Sequence, residues 1–211
     1  LRRVSEPFAS ALAGDGLDEA VGALRAFALV DRESIPDERD PSTTTDTIRL
    51  HRLVREVAAA RTGAEARAEI CCELIAATVS VYPYGVQRNP VTWPRARRLD
   101  AIALALVGGS DDLPAGSEIS AATLLNGLAS YRDGALADYA EAQKLSERAL
   151  AINEKALGPE HPDTASSLNN LGYILQAQGD PGGAWPYFER ALAIREKALV
   201  PFHRGYDSLT G

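Results

Sequence analysis

The chain has no methionine, three histidines and two cysteines in 211 residues, and each scarcity excludes something. Cys71 and Cys72 are adjacent in a stretch that reads as helical, where neighbouring side chains diverge and cannot meet in an unstrained disulfide. They read as reduced thiols, which suits a cytoplasmic location. With so few histidines and cysteines no metal-ligand constellation forms. His161 and His203 stand beside prolines and read as solvated or loop-packing residues in interhelix loops. No apolar run approaches the length of a membrane span, and "AIALALVGG" at 101–109 is too short. The start, "LRRVSEPFAS", has no apolar signal core and no initiator methionine, which predicts an internal piece of a longer polypeptide.

Chemistry is equally sparse. No G-x-x-x-x-G-K-[ST] loop exists to cradle a triphosphate, and no Ser/His/Asp set or paired carboxylates mark a site, so the chain does not read as an enzyme and calls for no cofactor of its own. A formal charge of -7 and a pI near 5.0 predict repulsion of nucleic acid and of anionic membrane. "RNPVTWPRARR" (88–98) is the local exception, and its arginines read as the outer face of a helix.

What the chain does have is a duplicated word. "ERALAINEKAL" begins at Glu147 and "ERALAIREKAL" at Glu189, 42 residues apart, with one change, Asn153 against Arg195. Self-similarity at such a period marks a repeat array. In 163–179, Leu168, Leu171 and Leu175 share one helical face. "GDPGG" then breaks the chain, with Gly179 suited to a C-terminal cap and Asp180 and Pro181 to a new helix start. In 184–199, Ala184, Phe188, Ala191 and Ile194 share a face, so the unit is a helical hairpin. Pro186 is tolerable if it lies in or beside the first turn. The preceding unit, 124–150, fits the same template with Leu128, Ala129, Ala142 and Ala149 in its seam, one extra residue near the turn, and Ser146 in place of the aromatic. A third copy begins at "LVPFHRG" and dissolves into "YDSLTG".

On Leu171, Gly172, Ala184, Phe188 and Ala191, the segment resembles a tetratricopeptide repeat, and "ALAINEKALGPEHPDTASSLNNLGYILQAQGD" resembles the 42-residue kind found in kinesin light chains and many bacterial regulators. The resemblance implies a right-handed α-superhelix whose first helices line a concave groove. Asn126, Ser166, Asn170, Tyr173 and Gln176 are the positions expected to contact a protein or peptide there, since Asn and Gln amides can bond an extended backbone as donor and acceptor. The bland alternative for each is a solvated helix face.

The first hundred residues read differently. Residues 17–34 read as a helix running into a short strand, 35–46 as a polar loop, 47–51 as a returning strand and 52–62 as a helix, the outline of a truncated winged helix. Residues 64–85 and 92–109 read as two helices that cap the array. The order "ALRAFALVDRES", "TIRLHRLVREVAAA", "YPYGVQRNPVTWPRARRL" and then repeats resembles the C-terminal half of bacterial STAND-type signalling ATPases with an NB-ARC module. That resemblance implies an upstream nucleotide-binding domain in cis, ADP or ATP in the full-length parent, and His51 as a residue that reaches the nucleotide; the alternative is a histidine that packs the wing. Arg52 stands where relatives often carry an acid.

The expected architecture is therefore mainly α, with a winged-helix-like α+β segment (1–62), a degenerate capping hairpin (63–115) and tetratricopeptide repeats (116–211). Its expected role is protein interaction and regulation within a nucleotide-switched protein. A stand-alone scaffold is the alternative, and a winged-helix DNA-binding regulator is a third reading that the acids Asp18 and Glu19 oppose. A short array exposes its last apolar face, so self-association through the terminal repeat is also expected.

Overall fold

The computed structural model describes residues 30–36, 44–50, 63–83, 85–109 and 113–204. The chain divides into two compact units, Leu1–Glu69 and Ile70–Gly211. In the first, β1 (Val30–Pro36) pairs antiparallel with β2 (Thr44–Leu50), in a register running from Val30 opposite Leu50 to Pro36 opposite Thr44. The strands extend further into the polar segment than its composition suggests. Thr44 and Thr45 are β-branched and suit a pleated strand, and Pro36 stands at the strand end. The helix expected to open 17–34, the helix expected at 52–62, and His51 between strand and helix, lie outside the described residues.

α1 (Ala64–Val81) begins in the first unit and runs into the second. It ends two residues before Pro83, in keeping with the proline's bias against a helical residue ahead of it. A 3-10 turn, Pro90–Thr92, leads into α2 (Trp93–Val107). Then come α3 (Glu118–Tyr131), α4 (Tyr139–Leu157), α5 (Pro162–Ala177) and α6 (Pro181–Arg204), each packed on the next. Among the described residues the molecule is mainly helical.

The helix boundaries follow local chemistry. Asp138 caps α4 by accepting from the Glu141 amide at 3.3 Å. His161 caps α5, its Nδ1 accepting from the Asp163 amide at 3.1 Å, with Pro162 in the first turn. α5 closes in a Schellman motif: the Asp180 amide donates to the Leu175 carbonyl and the Gly179 amide to that of Gln176, with Gly179 at φ 87°. Asp180 then caps α6 through the Gly183 amide at 2.8 Å.

Pro186 departs from expectation. Because α6 starts at Pro181, Pro186 falls in the second turn, where its missing amide leaves the Gly182 carbonyl without its helical donor. Gly182 and Gly183 in the preceding turn carry no side chain to crowd the ring. His203 also departs: α6 continues through it to Arg204, so the residue 42 after the loop histidine His161 is helical.

The two hairpins, α3 with α4 and α5 with α6, solve one packing problem differently. In the second, Phe188 lies over Gly172 so closely that a Cβ there would sit 2.6 Å from its ring. In the first, Ala129 and Ser146 stand at the corresponding places of the template and both are fully buried. The extra residue of the first hairpin is absorbed at its turn, where Arg132–Leu136 forms a π-type turn that ends on Ala137 in the left-handed conformation, φ 53°.

α1 and α2 join the same core. Ile75 from α1 and Ala103 and Val107 from α2 cluster with Ala121, Leu125 and Leu128 of α3. α2 meets α4 much as α4 meets α6: Arg148 of the first word donates to the Val107 carbonyl at the end of α2, and Arg190 of the second bonds Glu154 at 2.6 Å and the Pro159 carbonyl at 3.4 Å near the end of α4.

Candidate functional site

A groove of ≈ 950 Å³ runs along the second unit between the end of α1, the α1–α2 connection, α3 and α5, with one residue each from α4 and α6. Four of the residues expected to face a partner line it, namely Asn126, Ser166, Asn170 and Tyr173. Gln176 does not; it is exposed on α5 beyond the groove. Ser166 donates to the Pro162 carbonyl at 3.2 Å, within its own helix.

Asn126 has a structural task as well. Its Nδ2 donates to Ser167 Oγ at 2.9 Å, and Asn153 Nδ2 on α4 donates to the same hydroxyl at 2.9 Å. Asn153 is 3% exposed and also reaches the Asp163 carbonyl at 3.4 Å. The two amides therefore lock α3 and α4 onto α5 beneath the groove. Their carbonyl oxygens are buried without a protein partner, an arrangement that ordinarily costs free energy.

Tyr173 connects seam to groove. One side of its ring meets Phe188 in an edge contact, centroids 5.2 Å apart at 64°, and the Arg88 guanidinium lies 5.5 Å from the ring centre. A cation over an aromatic face is attracted by the ring quadrupole. Arg88 is exposed and comes from the α1–α2 connection, outside the repeats.

That connection is firmly held. Trp93 Nε1 donates to the Val86 carbonyl at 2.8 Å, and Val86, Ala96 and Tyr131 form a small core of their own. Gln87 Nε2 donates to Asp133 in the π-type turn, and a Cβ on Gly134 would lie 2.5 Å from the Gln87 carbonyl oxygen. Burial raises the Asp133 carboxyl above its ordinary range, partly offset by that bond from Gln87. Arg132 pairs with Asp100 on α2 at 2.8 Å. Tyr82 packs on Gly127, where a Cβ would sit 3.0 Å from its ring, and burial pushes its hydroxyl well above the usual tyrosine value, with Asp100 adding to the effect.

Sequence reasoning missed Arg88, Asn153, Asn169 and Arg195, all of which line the groove. The signal for two of them was present. The one change between the duplicated words, Asn153 against Arg195, falls on this wall, where the first is buried in the amide network and the second is exposed. Arg195 reaches Asn169: with the amide oriented so that its oxygen faces the guanidinium, that oxygen accepts at 2.9 and 3.2 Å.

Among the described residues no helix is long and apolar enough to cross a membrane, and no group of three His, Cys, Asp or Glu could hold a metal ion. No curated protein matches the sequence. Residues 120–197, from the first turn of α3 into α6, match the family model of the tetratricopeptide repeat, a helical-hairpin unit that generally mediates protein–protein interaction.

Proposed function

We propose that the groove is a protein-interaction site that binds an extended peptide segment of a partner. The observation that carries this reading is the juxtaposition of Asn126, Ser166, Asn170 and Tyr173 along one groove wall. Side-chain amides offer both a donor and an acceptor to a peptide backbone, and a half-exposed tyrosine offers a flat apolar surface beside them. The test is affinity capture on the 211-residue chain with quantitative mass spectrometry, comparing it with a variant carrying Asn170→Ala and Tyr173→Ala that circular dichroism shows to be folded. Partners lost with the groove are the expected result; an unchanged partner set would remove the groove from the function.

In the same reading the chain serves a nucleotide-switched signalling protein as its regulatory and sensor part. The paired strands β1 and β2, standing before the helical unit in sequence, support a winged-helix segment there. In a full-length protein with an upstream nucleotide-binding domain, His51→Ala would then lower ADP retention; unchanged retention argues for a scaffold without a switch. Self-association through α6 belongs to this reading as well. Leu192 is 58% exposed, whereas Leu150, its counterpart in the first word, is 9% exposed beneath α5. Sedimentation that detects only monomer at high concentration would rule it out.

A further inference from the structure

The outer face of α6 is the counterpart of a covered face on α4. Leu150 and Asn153 of the first word both meet α5: Leu150 joins the cluster of Ala165, Leu168 and Leu171, and Asn153 donates to Ser167. The residues 42 later are Leu192 and Arg195, and both are exposed. Trp185, seven residues before Leu192 and so on the same stripe of the helix, is 63% exposed.

The charges of α6 fall into two groups. Arg190 pairs with Glu154 and Lys197 with Glu160, so these two are neutralised within the chain. Glu189 and Arg195 are exposed and have no partner of opposite charge among the described residues; the bond of Arg195 is to the neutral Asn169 amide.

These two residues lie symmetrically about Leu192. Three positions away on either side, each is about 4.5 Å along the axis and about 60° around it, on opposite flanks. A two-fold axis through Leu192, perpendicular to the helix, reverses both the direction along the helix and the flank. It therefore brings Glu189 of one chain to Arg195 of the other, twice, on either side of a contact between the two Leu192 side chains.

The duplicated word supplies the control. α4 carries Glu147 and Asn153 at the same two places, and there the asparagine bonds a hydroxyl beneath a covering helix. On α6 the one substitution that separates the words puts a cation at that place and completes a self-complementary pattern. A charge that is to be covered needs an opposite charge, and a guanidinium suits a carboxylate.

From this we infer that α6 is an isologous docking surface for a second copy of this chain. Two α6 helices pack antiparallel across a two-fold axis through Leu192, with Trp185 and Leu192 in the apolar contact and Glu189 paired with Arg195 of the second copy. The inference rests on the reading of self-association above and specifies its symmetry and its contacts. An isologous contact closes on itself, so assembly through this face stops at two copies. One helix face is a small interface, so the dimer is weak and its population rises with concentration.

The experiment is sedimentation equilibrium on the 211-residue chain and its charge-reversal variants over a wide range of concentration. The parent should show monomer and dimer without larger species. Glu189→Arg alone and Arg195→Glu alone should each weaken dimerisation about tenfold or more, because each change sets two like-charge pairs in place of two opposite ones. An equal mixture of the two variants should regain the dimer, now between unlike chains, since one contributes glutamates and the other arginines at the paired places. The variant carrying both changes should self-associate as the parent does. All these positions are exposed, so the variants should melt as the parent does. Dimers that vanish with Leu192→Asp but ignore both charge reversals would overturn the two-fold arrangement and leave self-association through α6 standing. Larger, open-ended species would do the same, as head-to-tail stacking produces them. A parent that stays monomeric, or dimers indifferent to Leu192→Asp, would overturn both.

Discussion

The two helical hairpins are a controlled comparison inside one chain. The words at Glu147 and Glu189 differ at one residue, yet the structure treats them differently at three places. The first hairpin buries two small residues, Ala129 and Ser146, at the seam positions, turns through a π-type segment, and buries Asn153 under the groove. The second meets in a glycine-to-phenylalanine seam, turns through a Schellman motif, and exposes Arg195. A repeated pattern thus fixes which faces pack, while the residue at each seam or wall position is set by what that copy touches. Phe188 requires Gly172 because no Cβ fits beneath its ring; where the first hairpin has the smaller Ser146, it carries Ala129 in place of the glycine.

The largest expected break in this comparison comes from exchanging the one residue that distinguishes the words. Asn153→Arg removes the bonds to Ser167 and the Asp163 carbonyl and forces a cation toward a site 3% exposed. It should cost about 3 kcal/mol in urea denaturation, through a broken buried network and an unpaired charge. The reverse change, Arg195→Asn, should cost less than about 0.5 kcal/mol, as surface substitutions usually do. Equal costs would mean that the two positions are not structurally distinct.

The seam gives the next effect. Phe188→Ser should cost about 2 kcal/mol, since the ring is half-buried, and Gly172→Ala about 1 to 2 kcal/mol by overpacking. Together they recreate the first hairpin's pair, so the double variant should be less destabilised than the sum by about 1 kcal/mol. A strictly additive cycle would show that the ring and the glycine do not compensate one another.

Much of this was legible beforehand, for physical reasons. Apolar residues at helical spacing must be buried somewhere, so Leu168, Leu171, Ala184 and Ala191 announced their faces. The one-residue surplus in the first copy announced an irregular turn, because two helices in register cannot otherwise absorb it. The groove was less legible. Asn126, Ser166, Asn170 and Tyr173 lie on first helices, where the repeat template points, but Gln176 is too far along α5 to share their groove. Arg88 could not be foreseen, because it reaches Tyr173 from 85 residues away in sequence through a connection that has no counterpart in the duplicated words. Asn153 and Arg195 sit on second helices, which the template assigns to packing.

A smaller effect tests the other helix that breaks its own pattern. Pro186→Ala restores an amide in the second turn of α6, where the Gly182 carbonyl lacks its helical donor. Stability should rise by about 1 kcal/mol, less than the full interior-proline penalty because Pro186 lies near the start of the helix. A destabilised variant would mean that the ring packs usefully where it is.

The smallest effect separates the two turns by pH. Only the first hairpin, among the described residues, places a carboxylate from its turn under cover: Asp133 is 8% exposed and bonded by Gln87. Burial raises its folded value above the unfolded one, so the folded protein holds that proton more tightly. From the unfolded value upward, stability therefore falls with rising pH, and the decline ends once pH exceeds the folded value. Asp133→Asn keeps an oxygen for Gln87 Nε2 and removes the ionisation. Its melting temperature relative to the parent should become more favourable as pH rises from about 4 to about 7. A difference that stays flat would mean that Asp133 ionises as freely folded as unfolded. A difference that shrinks as pH rises would mean that the charged form is the one the π-type turn favours, and that Gln87 outweighs burial in holding the connection that presents Arg88.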